Sequence, residues 1–98
     1  QEKLDFVIYT LGYLPKGDKT IITKASTTLE SINKALSLLK KNGILLVTSY
    51  TGHEGGQEEY NALLNFFTSL DQRKFNVLKF KFINQRNNPP TLFGLEKL

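Results

Sequence analysis

Apolar residues along this chain fall into two kinds of pattern. Leu4 to Leu11, and Ile44 to Val47 continued by Thr48, Ser49 and Tyr50, are near-continuous apolar runs rich in β-branched and aromatic residues, as expected of strands covered on both faces. Leu29, Ile32, Leu36 and Leu39, with Ala35 beside them, and then Tyr60, Leu63, Leu64, Phe67 and Leu70, recur at helical spacing. Phe75 to Asn84 alternates: Leu78, Phe80 and Phe82 are set to one side, and Lys79 and Lys81 to the other beside Val77 and Ile83. That pattern predicts an edge strand whose lysines discourage unwanted pairing. After the turn-forming Asn87-Asn88-Pro89-Pro90, Thr91 to Glu96 predicts a final antiparallel strand.

The polar residues between these runs support the same division. Ser26, Thr27 and Thr28 offer N-caps to the first helix, and Glu30 stands where a capping-box partner belongs. Asn42-Gly43 supplies a left-handed stop, and Lys40 and Lys41 suit the negative end of the helix dipole, as Gln57-Glu58-Glu59 suits the positive end of the second helix. The order is βαβαββ. A strand, helix, strand sequence of these lengths makes a parallel crossover, so the first two strands are expected to be neighbours. If both crossovers are parallel, the loops after Tyr9, Tyr50 and Asn84 leave the sheet side by side, at the edge where open α/β sheets bind ligands.

Composition narrows this picture. At 98 residues and 40% hydrophobic the chain predicts one soluble domain with a modest core, and no apolar run approaches the roughly 20 residues of a membrane span. There is no cysteine, so neither a disulfide framework nor a thiolate metal site is available, and Asp18, Glu54, Glu58 and Glu59 share no recognisable ligand spacing; no metal is expected. With no signal peptide either, a cytoplasmic setting fits. The formal charge of +4 allows an anionic partner. The charge is split, however: Lys16, Lys19 and Lys24 flank the first loop, while Arg73, Lys74, Lys79, Lys81 and Arg86 fall in the last third, where a solvated face explains them equally well. There is no methionine, even at position 1, and a buried strand is expected to start about three residues in, so the chain has the appearance of a piece of something longer.

Candidate chemistry concentrates in Tyr9-Thr10-Leu11-Gly12-Tyr13-Leu14-Pro15-Lys16-Gly17-Asp18-Lys19, where two aromatic hydroxyls, a carboxylate and two lysines fall within eleven positions. A second loop, Tyr50-Thr51-Gly52-His53-Glu54-Gly55-Gly56, sets a candidate general base, His53, beside backbone N–H groups at a helix start. The bland alternative is a polar turn. A lone histidine without a Gly-x-Ser-x-Gly turn gives little support for a hydrolase. Gly-x-Gly-x-x-Gly is absent, and Gly52, Gly55 and Gly56 lack the lysine of a P-loop, so no nucleotide cradle is encoded here.

Leu11-Gly12-Tyr13-Leu14-Pro15, with Gly17-Asp18-Lys19 behind it and Thr23 ahead of the helix, resembles the signature of the small class I methyltransferases of the rRNA methylase family. Gly52-His53 with Gly55-Gly56 and Glu58-Glu59, then Leu70-Asp71-Gln72, then Asn87-Asn88-Pro89-Pro90 follow in the same order and at similar spacing. The resemblance implies an S-adenosylmethionine-dependent enzyme acting on tRNA or rRNA, some members methylating the aminomethyl group of a modified wobble uridine. It implies a class I, Rossmann-like fold of which this chain is the C-terminal half, a mostly parallel sheet with an antiparallel last strand, lacking the N-terminal half that holds the cofactor. On that basis Thr10, Leu11 and Gly12 border the cofactor; Thr10, Tyr13, Asp18 and His53 are the catalytic candidates; and Tyr13, Pro15, Lys19, His53, Asn88 and Pro89 contact substrate. At position 10 the family usually carries asparagine, whose carbonyl suits orientation of an amine, and this chain departs from it.

Two readings follow: the target-side half of an RNA methyltransferase, inactive alone, or a non-catalytic binding or assembly module. Under either, the first strand presents an edge without lysine or proline, so a homodimer through that edge is expected.

Overall fold

The computed structural model describes residues 4–11, 25–52 and 55–98. Its elements are β1 (Leu4–Leu11), α1 (Ala25–Leu38), β2 (Leu39–Ser49), α2 (Gly56–Thr68), β3 (Phe75–Lys81) and β4 (Thr91–Lys97). The sheet order is β1-β2-β4-β3. β1 runs parallel to β2, as the crossover argument requires, and β4 lies antiparallel between β2 and β3. All three strands β1, β2 and β3 therefore point the same way, and β3 is an edge strand. Hydrogen-bonded pairing is nevertheless mainly antiparallel, because the last strand inserts between two parallel ones instead of adding at the margin.

Both helices pack on one face. Ile32 and Leu36 of α1 and Leu63 and Phe67 of α2 bury against Leu45 and Val47 of β2 and Phe93 and Leu95 of β4. Phe67 and Phe93 meet with ring centroids 5.1 Å apart, within the range where tilted aromatic pairs attract. The outward side of α1 is Glu30, Asn33, Lys34 and Ser37, all exposed as the periodicity predicts.

The other face of the sheet carries no helix among the described residues, which corrects the expectation of strands covered on both faces. β1 is covered on one side only: Val7 and Tyr9 meet the core, while Phe6 and Ile8 are more than half exposed. In β3 the apolar Leu78 and Phe80, with Phe82 just beyond its end, form the uncovered side, and the lysine side is the one that turns toward α2. There Lys79 Nζ donates to the Tyr60 hydroxyl at 3.1 Å and lies 5.8 Å from its ring centroid, so this lysine is a packing residue as well as an edge charge.

The ends of α1 also differ from expectation. Ser26, Thr27 and Thr28 lie within the helix and not ahead of it, and Leu39 belongs to β2, where it pairs with Leu4. α1 ends at Leu38, and Asn42, in the left-handed conformation (φ 70°) that asparagine tolerates better than most residues, lies inside β2 and so bends the strand instead of stopping the helix. Residues 40–43 form an irregularity before pairing resumes at Phe6 and Ile44, and Lys40 reaches Asp5 at 3.6 Å instead of serving the helix end. The N-cap of α2 is Gly55, at φ 81° and without a side-chain capping bond.

Candidate active site

The strand registers align four residues in one row: Leu11 pairs with Ser49, Ser49 with Thr91, and Thr91 with Lys81. These are the last residues of β1, β2 and β3 and the first of β4. The carboxyl ends of β1 and β2 are consequently neighbours, about 5 Å apart, and that of β3 lies at the same edge two strands further on, with the start of β4 between. The convergence predicted from topology is thus a property of the register.

One row deeper, Thr10 pairs with Thr48, Thr48 with Leu92 and Leu92 with Phe80. Thr10 is exposed on the uncovered face. On that same face a cavity of about 370 Å³, lined by Thr48, Phe80, Lys81, Phe82, Pro90 and Leu92, opens at the carboxyl edge. A slightly larger one of about 400 Å³ lies between the end of α2 and the start of β3, at the opposite edge, and borders none of the candidate residues.

The turn between β3 and β4 folds back onto this edge. Asn87 and Asn88 are both left-handed (φ 66° and 56°), which reverses the chain before Pro89 and Pro90. A methyl group on Gly52 would lie 3.6 Å from Asn88 Cβ, so the turn touches the start of the β2–α2 loop. Asn88 is exposed and Pro89 half-buried. Of the candidates, the structure therefore brings Thr10, the Leu11 backbone, Asn88 and Pro89 to one edge, whereas Gly12, Tyr13, Pro15, Asp18, Lys19 and His53 lie outside the described residues. The sequence offers Glu59 only as a helix-start charge and Ser49 only as a strand residue, because nothing in a strand terminus or an acidic helix start signals that their polar groups are buried.

The end of β1 presents an exposed hydroxyl at Thr10, on the carboxyl edge of the sheet. No described acidic residue stands at the carboxyl end of a strand to take ribose hydroxyls. Among the described residues no group of three His, Cys, Asp or Glu is arranged to hold a metal ion, and no helix is long and apolar enough to cross a membrane.

Residues 1–96 match the profile of the family described as "Putative rRNA methylase", and the chain belongs to that family. It is similar to a solved "putative rRNA-methylase" from Clostridium thermocellum, with 42% identity, a TM-score of 0.93 and coverage of 100% of this chain and 53% of that one. A "putative methyltransferase" from Streptococcus mutans, solved in complex with SAH, gives 41% identity and a TM-score of 0.89 at the same coverage. A tRNA (mnm(5)s(2)U34)-methyltransferase, chloroplastic, from Arabidopsis thaliana is 35% identical over 95 residues, which is 97% of this chain and 35% of the relative. The chain thus spans about half the length of the solved relatives and about a third of the plant one.

Proposed function

We propose that this chain is the target-side portion of an S-adenosylmethionine-dependent methyltransferase of class I topology that modifies tRNA or rRNA. The observation that supports the reading is the row Leu11–Ser49–Thr91–Lys81, which puts the carboxyl ends of β1, β2 and β3 at one edge of the sheet. Family membership and the SAH bound to the Streptococcus mutans relative support it. When bound, S-adenosylmethionine supplies an activated methyl group. The chain's own contribution is positioning: Thr10 and Leu11 border the donor, Tyr13 and Pro15 form the wall against the base, and Asp18, Lys19, His53, Asn88 and Pro89 hold the acceptor in line. The adenosine site belongs, in this reading, to a part of the fold outside the 98 residues, which cover 53% of the solved relatives. The protein works where its RNA is used, the cytoplasm.

The test is transfer of labelled methyl from S-adenosylmethionine to bulk tRNA and rRNA by the longest product of the gene. Label in one RNA class is expected. RNA left unlabelled by a folded product overturns the reading in favour of an assembly module, which the uncovered sheet face and the free β1 edge favour. Under both readings two copies joining their β1 edges is the arrangement we expect.

A further inference from the structure

The polar side chains buried among the described residues are Thr28, Ser49, Glu59 and Thr91, and all of them stand at the carboxyl edge. Ser49 ends β2 and pairs with Thr91, which opens β4. Thr28 lies in the first turn of α1 and Glu59 in the first turn of α2, the two helices that enter from the loops of that edge. Deeper in the same layer the buried residues are Ile32, Leu36, Leu45, Leu63, Phe67 and Leu95. Withdrawing hydroxyls and a carboxylate from water costs stability that an apolar core avoids, so packing alone does not account for a polar interior confined to one end.

Within this layer the Thr28 hydroxyl donates to Glu59 Oε2 at 3.4 Å across 31 positions of sequence. Glu58, exposed in the same turn, is already available to the helix dipole, yet Glu59 is turned inward to 5% exposure. The Ser49 hydroxyl beside this layer is fully buried and has no hydrogen-bond partner among the described residues. We propose that Glu59 is a positioning residue: through Thr28 it locks the start of α1 to the start of α2, the two helix ends that stand at the carboxyl edge of the sheet. Its catalytic consequence rests on the methyltransferase reading; the locking itself does not.

The decisive variant is Thr28→Val with Glu59→Leu. Replacing a buried polar pair by apolar groups of similar size is ordinarily neutral or stabilising. The double variant is therefore expected to keep its melting temperature while kcat for RNA methylation falls about tenfold or more at unchanged KM for RNA, and Glu59→Gln, which keeps an acceptor oxygen for Thr28, is expected to stay within about threefold of the parent. A double variant within about twofold of the parent, losses of kcat that track losses of melting temperature, or a Glu59→Gln variant as impaired as the double one each overturns the proposal. Amide exchange in the 98-residue chain reads the lock without activity. Thr28→Val should speed exchange of the Glu59 amide, bonded to the Gly55 carbonyl at 3.1 Å, and leave Leu45 and Val47 unchanged. If the parent gene product methylates no RNA, the methyltransferase reading fails, and this exchange result alone decides the lock: acceleration at Glu59 upholds it, and no change, or acceleration everywhere, overturns it.

Discussion

Gly43 lies so close to Leu39 that a methyl group on it would come within 2.7 Å of Leu39 Cγ and 2.8 Å of the Lys40 carbonyl oxygen. The Leu39 side chain can shift; the carbonyl, held in the irregular start of β2, cannot do so without moving the strand. Gly43→Ala is thus expected to destabilise the chain by about 1–3 kcal/mol, as overpacking of a tight site does. Gly52→Ala, whose methyl would sit at an ordinary 3.6 Å from Asn88, is expected to change stability little. Urea midpoints of the two variants check the contrast, and equal midpoints would contradict it.

The same stretch shows how far the sequence could be read. The periodicity of Leu29, Ile32 and Leu36 marks the buried side of α1, which made the helix legible, whereas Asn42-Gly43 overstates its length, because the helix ends at Leu38 and the pair lies in β2. Leu39 was not: it continues the helical spacing and is buried, but by pairing with Leu4, a partner 35 positions away that no local pattern shows. Likewise the alternation of β3 separates Leu78 and Phe80 from Lys79, but not which side receives α2. That depends on β4 inserting next to β3, and it turned the lysine side toward α2, where Lys79 meets Tyr60 and stays exposed. For the candidate site, strand direction sufficed to bring the loops together, whereas the burial of Glu59 follows from helix packing and has no local signature.

RNA binding should depend on the basic residues at the carboxyl edge and not on those at the other. Lys81 ends β3 in the row of Leu11 and Ser49, and Arg86 lies exposed in the following loop, whereas Arg73 and Lys74 precede β3 at the opposite edge. Lys81→Gln and Arg86→Gln are each expected to weaken binding to RNA and to lower the slope of log affinity against log salt by about one. Arg73→Gln should alter neither. Filter binding at several salt concentrations measures this, and a salt-independent affinity would leave the positive charge without a role in binding.

Acid should weaken the turn that leads into β3. Asp71 Oδ1 accepts from the Arg73 backbone N–H at 2.9 Å and from Nε at 3.1 Å, and Oδ2 from the guanidinium at 3.1 Å. These bonds, the side-chain one first, hold the Asp71 carboxyl below its ordinary pKa. A carboxyl whose pKa is lower folded than unfolded stabilises the fold above its unfolded value, and that stabilisation is lost as pH falls through the folded one. Because the pair is solvent-exposed, the effect is small. Asp71→Asn is expected to flatten the acid limb of stability against pH while leaving methyl transfer unchanged. An identical acid limb in the variant would show that the pair contributes nothing.

Self-association is expected of the chain on its own, and the structure gives it two contiguous causes. β1 lies at the margin of the sheet, so one side of its backbone is unpaired among the described strands. Along that margin, on the face without helices, Phe6 and Ile8 stand more than half exposed. An edge of this kind, without lysine or proline between Leu4 and Leu11, is a template for another strand. Two copies related by a two-fold axis would pair β1 with β1 and extend the sheet, bringing the Phe6 and Ile8 side chains of both into one apolar strip, and such an arrangement closes on itself. Ile8→Lys is expected to shift the chain toward monomer without unfolding it, since Ile8 lies outside the buried core and the substitution adds a charge where edge strands ordinarily carry one. Phe80→Lys, on the same face but on the far side of the sheet, should change association much less. Sedimentation equilibrium across a concentration series distinguishes these variants: a parent that stays monomeric at millimolar concentration, or a Phe80→Lys variant that dissociates as readily as Ile8→Lys, would rule out pairing through β1.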